Sequence, residues 1–351
     1  MASGILTLDL DAVTRNWTAL SRMGDCEAGA VVKADGYGTG AAEVARALVR
    51  AGARSFFVAL AHEGAALRQA LGAGPAIHVL SGHMAGDAAV LRDHDLIPML
   101  TGPDQVARHF EALPDRAFGV QLDTGMNRLG LKEAEWQALS DKVLAKKPAL
   151  ALMHLACADE PDHPMNARQL AAFHRMTDGL GLRRTAAATG GILLGKAYHF
   201  DLTRPGVGLY GAAPFSAGEN PVRLSLPIIQ VRDVTQDEAV GYSCGWVAPG
   251  NHRIATLAAG YADGIFRSLS GKATLWAGDT PCPLVSRVSM DLITVDVTHL
   301  PEVPDRLDLI GPHQTADALA AVAGTIGYEI LTALGPRYER RYIGGKAGAS
   351  A

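Results

Sequence analysis

Short apolar runs recur along the first two-thirds of the chain, each followed by a stretch whose apolar residues fall at helical spacing. The runs are AGAVVK (28–33), SFFVAL (55–60), AIHVLSG (76–82), LIPML (96–100), AFGVQL (117–122), LALMHLA (150–156), a weaker RTAAAT (184–189) and RPGVGLYG (204–211). Continuous rather than alternating hydrophobicity marks strands covered on both faces, as in a parallel sheet flanked by helices. The intervening segments read as those helices: AAEVARALVRAG has Gly52 where a C-cap belongs, and EAEWQALSDKVLAKK keeps a helical period. Eight strands and eight connections over roughly 200 residues match a (β/α)8, TIM-like barrel. A doubly wound open sheet is the alternative, but no GxGxxG opens a helix after the first strand.

After about residue 225 the pattern changes. LPIIQVRDV, EAVGYSCGWVAPG, HRIATLAAGYADG, KATLWAGDTPCPLVSRVS and LITVDVTHL alternate like strands between Gly, Pro and Asp turns, with one helical return at HQTADALAAVAGTIGYEILTAL. The expected division is a barrel over 1–225, whose first residues can pair with the second domain, and a mostly β domain over 226–351.

Composition narrows the function. The 351 residues are 48% hydrophobic and 19% charged, enough for two packed domains. A net charge of −4 offers no basic face for nucleic acid and no polybasic anchor for lipid, so small molecules or further subunits are the expected partners. No stretch approaches the ~18 apolar residues of a membrane span, and MASGILTLDLDAVTRNW lacks the basic and apolar regions of a secretory signal, which points to the cytoplasm. Cys26, Cys157, Cys244 and Cys282 lie far apart without a CxxC pair, so neither a metal site nor a disulfide framework is expected.

Chemistry in a parallel barrel gathers at the C-terminal ends of its strands. Lys33 follows AVV, His154 follows ALM, and Arg204 opens RPGVGLYG. Each has an ordinary explanation alone, as a solvated loop lysine, a core histidine or an ion-pairing arginine; together they share one rim. Gly36 and Gly38 free the backbone after Lys33, Tyr37 offers a hydroxyl, and a helix starting near Gly40 points its N-terminus the same way. GVGLYG offers further N–H groups where barrels often hold phosphate. A lysine able to lose its proton beside an anion site suggests pyridoxal 5'-phosphate held as a Schiff base.

VVKADGYGTG closely resembles the lysine motif of the alanine racemases, and LDTGMNRLG, LMHLACAD, DLTRPGVGLYG, AAGYADG and RVSMD follow in that family's order, from about residue 5 to 345. The resemblance implies a pyridoxal-phosphate barrel with a β domain, working as a homodimer whose active sites are shared. It implies a two-base interconversion of L- and D-alanine that supplies D-alanine for peptidoglycan. By that resemblance Lys33 is expected to be the imine-forming residue and D-side base, and Tyr261 the L-side base. A phenol is a poor base at neutral pH unless cations favour its anion. His154, linked to this tyrosine in the family, and Arg204 behind it are expected to supply that bias.

Arg204 also matches the arginine facing the pyridine nitrogen, and Arg128 the one binding the substrate carboxylate. Met290 matches a residue offering backbone N–H from the partner subunit, and Tyr37, Thr189, Gly206 and Val207 match the phosphate anchors. There are departures. Gln121 stands where many relatives have a carbamylated lysine, Ala188 and Thr189 replace a usual Asn-Ser, and Ala333 is expected where a phosphate-binding tyrosine is often found, with Tyr338 a possible substitute. A barrel-type decarboxylase would commonly set a carboxylate against the pyridine nitrogen, which Arg204 disfavours. A non-catalytic cofactor carrier would not need the β domain.

Overall fold

The computed structural model describes residues 4–345. Seven short strands, Ala30–Val31, Ser55–Val58, Ala76–Val79, Ile97–Leu100, Gly119–Gln121, Ala151–Leu152 and Arg184–Thr185, run parallel in chain order. An eighth, Leu202–Thr203, pairs in parallel with Glu27–Ala28. Arg204 bridges Ala188 on its other side, and Val31 N–H donates to Pro205 C=O at 2.9 Å, so the sheet curls round as a TIM-like barrel. Ser55–Val58 is buried at all four positions, as a strand covered on both faces requires.

The last strand lies earlier than the apolar run suggests. RPGVGLYG is not extended: the strand precedes it, and Val207–Tyr210 coil into a 3₁₀ turn ended by Gly211 at φ +72°. Pro205 lacks a ladder donor, and the glycines favour a turn over a strand. The surrounding helices follow the pattern more closely. Ala41–Ala51 buries Val44, Ala45, Ala47 and Leu48 and ends at Gly52, and Pro103–Ala112 and Pro164–Thr177 both begin on proline, where no N–H is needed.

The second sheet has eight strands, antiparallel but for one pair, organised on the 13-residue strand Val222–Val234. That strand pairs with Ile5–Asp9, Arg306–Ile310 and His252–Leu257, and register shifts at Leu224/Ser225 and Ile228/Gln230 let it bend between them. Ile5–Asp9 belongs to this sheet rather than to the barrel, parallel to Glu339–Ile343. The single helical return is in fact two helices, Ala316–Ala323 and Gly327–Thr332, separated by Gly324 in the left-handed conformation.

One buried side chain makes the core pH-sensitive. His78 is 2% exposed, stacks on Phe57 with ring centroids 4.7 Å apart, and has no partner for either ring nitrogen among the described residues. Burial, reinforced by Arg183 and Arg204, pushes its pKa down to about 3. Unfolded, the ring titrates near 6.5. Between those values the unfolded chain binds a proton that the folded chain refuses, so His78 costs stability as pH falls through that window and costs none above it. His78→Leu should therefore flatten the acid loss of stability by ~1.4 kcal/mol per pH unit. Urea midpoints on both sides of pH 6.5 measure it; identical slopes in the two proteins would contradict it.

Candidate active site

Lys33 leaves the first barrel strand at its C-terminal end, where Val32 N–H still donates to Phe57 C=O at 2.9 Å. The backbone then turns the wrong way for L-residues. Ala34, Asp35, Gly36, Tyr37 and Gly38 all have positive φ, between 51° and 80°. For the three non-glycines this costs about 1–2 kcal/mol each, so the turn must be over-determined by its surroundings. Glu63 Oε1 accepts Ala34 N–H at 2.8 Å while its Oε2 accepts Ala59 N–H at 2.7 Å. Gly38 N–H closes on Ala34 C=O at 2.8 Å, and Arg340 and Tyr342 of the last strand donate to the carbonyls of Gly38 and Thr39. Lys33 and Tyr37 are thereby presented together on the barrel's rim.

They line a cavity of about 510 Å³ with Arg128, His154, Thr189, Arg204, Gly206 and Val207. Burial, then the charge of Arg128, holds the Lys33 ammonium below the usual lysine range, with Glu63 opposing and Arg204 assisting. Arg204 is 3% exposed and donates to Thr185 Oγ1 at 2.6 Å and to the carbonyls of Met153 and Ala186 at 3.0 and 3.2 Å. Burial lowers its pKa to about 9, so it stays charged at neutral pH, and no carboxylate pairs with it among the described residues. His154 differs from expectation. Burial, then Arg204, Arg128 and Lys33, pushes it to about 3, so it is a neutral imidazole and supplies no positive charge; Arg204 and Arg128 do.

The anion donors sit beside Tyr37, at the neighbouring strand ends. Thr189 starts the short helix Thr189–Leu193, and its Oγ1 accepts Gly206 N–H at 3.1 Å and Gly208 N–H at 3.3 Å. With both lone pairs engaged, the hydroxyl proton is left to donate. Gly206 thus supports the site through Thr189, while Val207 N–H heads its 3₁₀ turn with no acceptor inside it. A side chain at Gly206 would strike the Tyr37 hydroxyl, 2.6 Å from where its Cβ would be. The helix after Gly40 does not face this cavity: Asp35 Oδ1 accepts Ala41 N–H at 2.9 Å and takes up that helix end.

Tyr328, unassigned in the sequence reading, lines the cavity 6.1 Å from the Tyr37 ring. It lies on Gly327–Thr332 in the second domain, where helical pattern alone gives no sign of a barrel contact. The phenol expected to be missing at Ala333 is therefore present. Ala333 instead backs the turn at Gly264, and Tyr338 packs against Gly4, outside the cavity. Gln121 lines the cavity, but its Nε2 donates to Leu129 C=O at 3.1 Å, holding the backbone beside Arg128. Tyr261 and Met290 are 46% and 54% exposed on the second domain and do not line their own chain's cavity.

The residues present fit an anionic aldehyde cofactor: a desolvated amine, hydroxyl and N–H donors for an anion, and a buried cation whose Nε–H has no partner within the described chain. Fold and cavity define a TIM-like barrel with a desolvated lysine beside anion donors at the C-terminal ends of its strands. Residues 8–214 match the alanine racemase N-terminal domain and residues 222–342 the alanine racemase C-terminal domain. The chain is 64% identical over 344 residues to the alanine racemase of Cereibacter sphaeroides strain ATCC 17029, covering 97% of this chain and 99% of that one. It is 61% identical over 349 residues to that of Dinoroseobacter shibae, covering 99% and 100%. The Bartonella henselae alanine racemase, solved with covalently bound pyridoxal phosphate, superposes with a TM-score of 0.92 at 35% identity over 98% of this chain and 100% of that one. The chain belongs to the alanine racemase family, the pyridoxal-phosphate-dependent isomerases that racemise alanine.

Proposed function

We propose that the chain interconverts L- and D-alanine with two proton carriers on opposite faces of the substrate's α-carbon, Lys33 and the Tyr261 of a second copy of the chain. The observation that supports this most directly is the division of the machinery. A desolvated amine lies beside two guanidinium groups in the barrel, while an exposed phenol and Met290 lie on the other domain, outside that cavity. One carrier cannot easily serve both faces of a planar carbon. Pyridoxal 5'-phosphate, when bound, supplies an imine-forming aldehyde and an electron-withdrawing ring that acidify the α-hydrogen.

The chain's own groups do the rest. Lys33 would hold the aldehyde and carry the proton on the D side; its pKa, lowered by burial and then by Arg128, raises the share of free amine near neutral pH. Thr189, Tyr37 and Val207, braced by Gly206, would hold the phosphate. Arg204 would hold the cofactor's ring nitrogen and supply it no proton readily, since burial still leaves the guanidinium charged up to about pH 9. Arg128 and Met290 N–H fix the substrate carboxylate, the planar fork of arginine suiting bidentate contact. Neutral His154 orients the incoming phenol by hydrogen bonding, and Arg204 and Arg128 favour its anion.

Among the described residues no helix is long and apolar enough to cross a membrane; we take the enzyme to work in the cytoplasm as a homodimer and to supply D-alanine to peptidoglycan. Cofactor-loaded protein given L-alanine should lose optical rotation to zero and yield D-alanine detectable by D-amino-acid oxidase. Failure to form D-alanine at neutral or mildly alkaline pH would refute the assignment. In cells, the gene should free a racemase-deficient bacterium from its need for added D-alanine.

A further inference from the structure

Tyr261 and Met290 stand on separate loops, 29 residues apart in the chain. Tyr261 begins the 3₁₀ turn Tyr261–Asp263, and Met290 precedes the strand Ile293–Asp296. Two backbone bonds join these loops: Tyr261 N–H donates to Ser289 C=O and Ala262 N–H to Met290 C=O, both at 3.0 Å. Gly260 makes this approach possible, because any Cβ there would collide with the carbonyls of Ser289 and Met290. Arg337 then spans both loops. Its Nε and Nη2 reach the two oxygens of Asp263 at 2.7 and 3.1 Å, and its Nη1 reaches Asp291 Oδ1 at 2.8 Å. Asp263 is 5% exposed, and its Oδ2 also accepts Gly260 N–H at 2.8 Å, so the carboxylate links the guanidinium directly to the residue before Tyr261.

We propose that Arg337 is a positioning residue that locks the Tyr261 and Met290 loops into one rigid unit, fixing the distance between the phenol and the N–H that grips the substrate carboxylate before that unit meets the barrel of a second copy. The proposal rests on the two-base reading above and deepens it. Three charge-assisted bonds from one planar fork hold two carboxylates at once, a geometry lysine cannot reproduce. A misplacement of about 1 Å at a reacting group costs ~100-fold in rate; the clamp prevents that error.

The experiment compares holoenzymes carrying Arg337→Ala, Arg337→Lys, Asp291→Asn and Tyr261→Phe by steady-state kinetics and α-deuterium isotope effects in both directions. Arg337→Ala should retain the cofactor's absorbance and lower kcat by about 10–100-fold, with Arg337→Lys recovering only part of the loss. Slowing the Tyr261 side alone should raise the isotope effect for deuterated L-alanine and lower it for deuterated D-alanine, a divergence that general loosening of the fold would not produce. Asp291→Asn, which keeps the Asp263 bonds, should raise KM more than it lowers kcat. Unchanged kcat in Arg337→Ala, or isotope effects moving together in both directions, would overturn the clamp. Full activity in Tyr261→Phe would instead overturn the two-base reading itself.

Discussion

Mixing Lys33→Ala chains with Tyr261→Phe chains, each inactive alone, should restore about one quarter of wild-type racemisation after the two are unfolded and refolded together. Random pairing makes roughly half of the dimers mixed, and one of the two sites in each mixed dimer draws its lysine and its tyrosine from unmutated positions. The physical basis is the exposure of Tyr261 on the second domain and its absence from its own chain's cavity. Were the phenol to swing into the same chain's barrel, no combination of the two variants could rebuild a site, and the mixture would stay inactive. Alone, Tyr261→Phe should lose ~10²–10⁴-fold, the usual contribution of a positioned acid–base group.

Lys33→Ala alone should have the larger effect, because on the proposed two-base reading it removes a proton carrier and the covalent attachment together. Racemisation should fall by more than ~10³-fold, and the absorbance of a lysine Schiff base should vanish even with excess cofactor. Stability should move the other way. The ammonium is desolvated and faces Arg128 and Arg204, with only Glu63 opposing, so its removal relieves repulsion in the apoprotein. A thermal midpoint equal to or above wild type is therefore expected without cofactor, an instance of activity held at stability's expense. A variant that keeps more than a few per cent of activity, or that melts well below wild type, would show that Lys33 is structural.

The barrel was legible because strands buried on both faces leave continuous apolar runs. Its last strand was not, because the apolar residues after it, Val207, Leu209 and Tyr210, are buried in a 3₁₀ turn and imitate a strand more closely than Leu202–Thr203 does. Lys33, His154 and Arg204 follow strand ends that periodicity can locate, and Tyr37 adjoins the first of them; Arg128 and Thr189, legible only through the family resemblance, meet them in the same cavity. Tyr328 escaped notice because it reaches the barrel from another domain, and sequence spacing holds no information about such an approach. The neutral state of His154 was equally hidden, since it depends first on how deeply His154 is buried and then on the charges of Arg204, Arg128 and Lys33 around it. The bonds of Arg337 tie residues 46 and 74 positions away, beyond any local signal.

The left-handed turn from Ala34 to Gly38 also constrains how this stretch can diverge. Surface loops absorb insertions because a longer coil loses little entropy, but a mirror-handed turn has no neighbouring register of similar energy into which an extra residue could slip. Length between Lys33 and Gly40 is thus effectively quantised. Variation there is confined to exchanges among side chains that tolerate positive φ, with glycine, asparagine and aspartate the least costly, and a single-residue deletion would silence the enzyme where a dozen residues added to a distant loop would not.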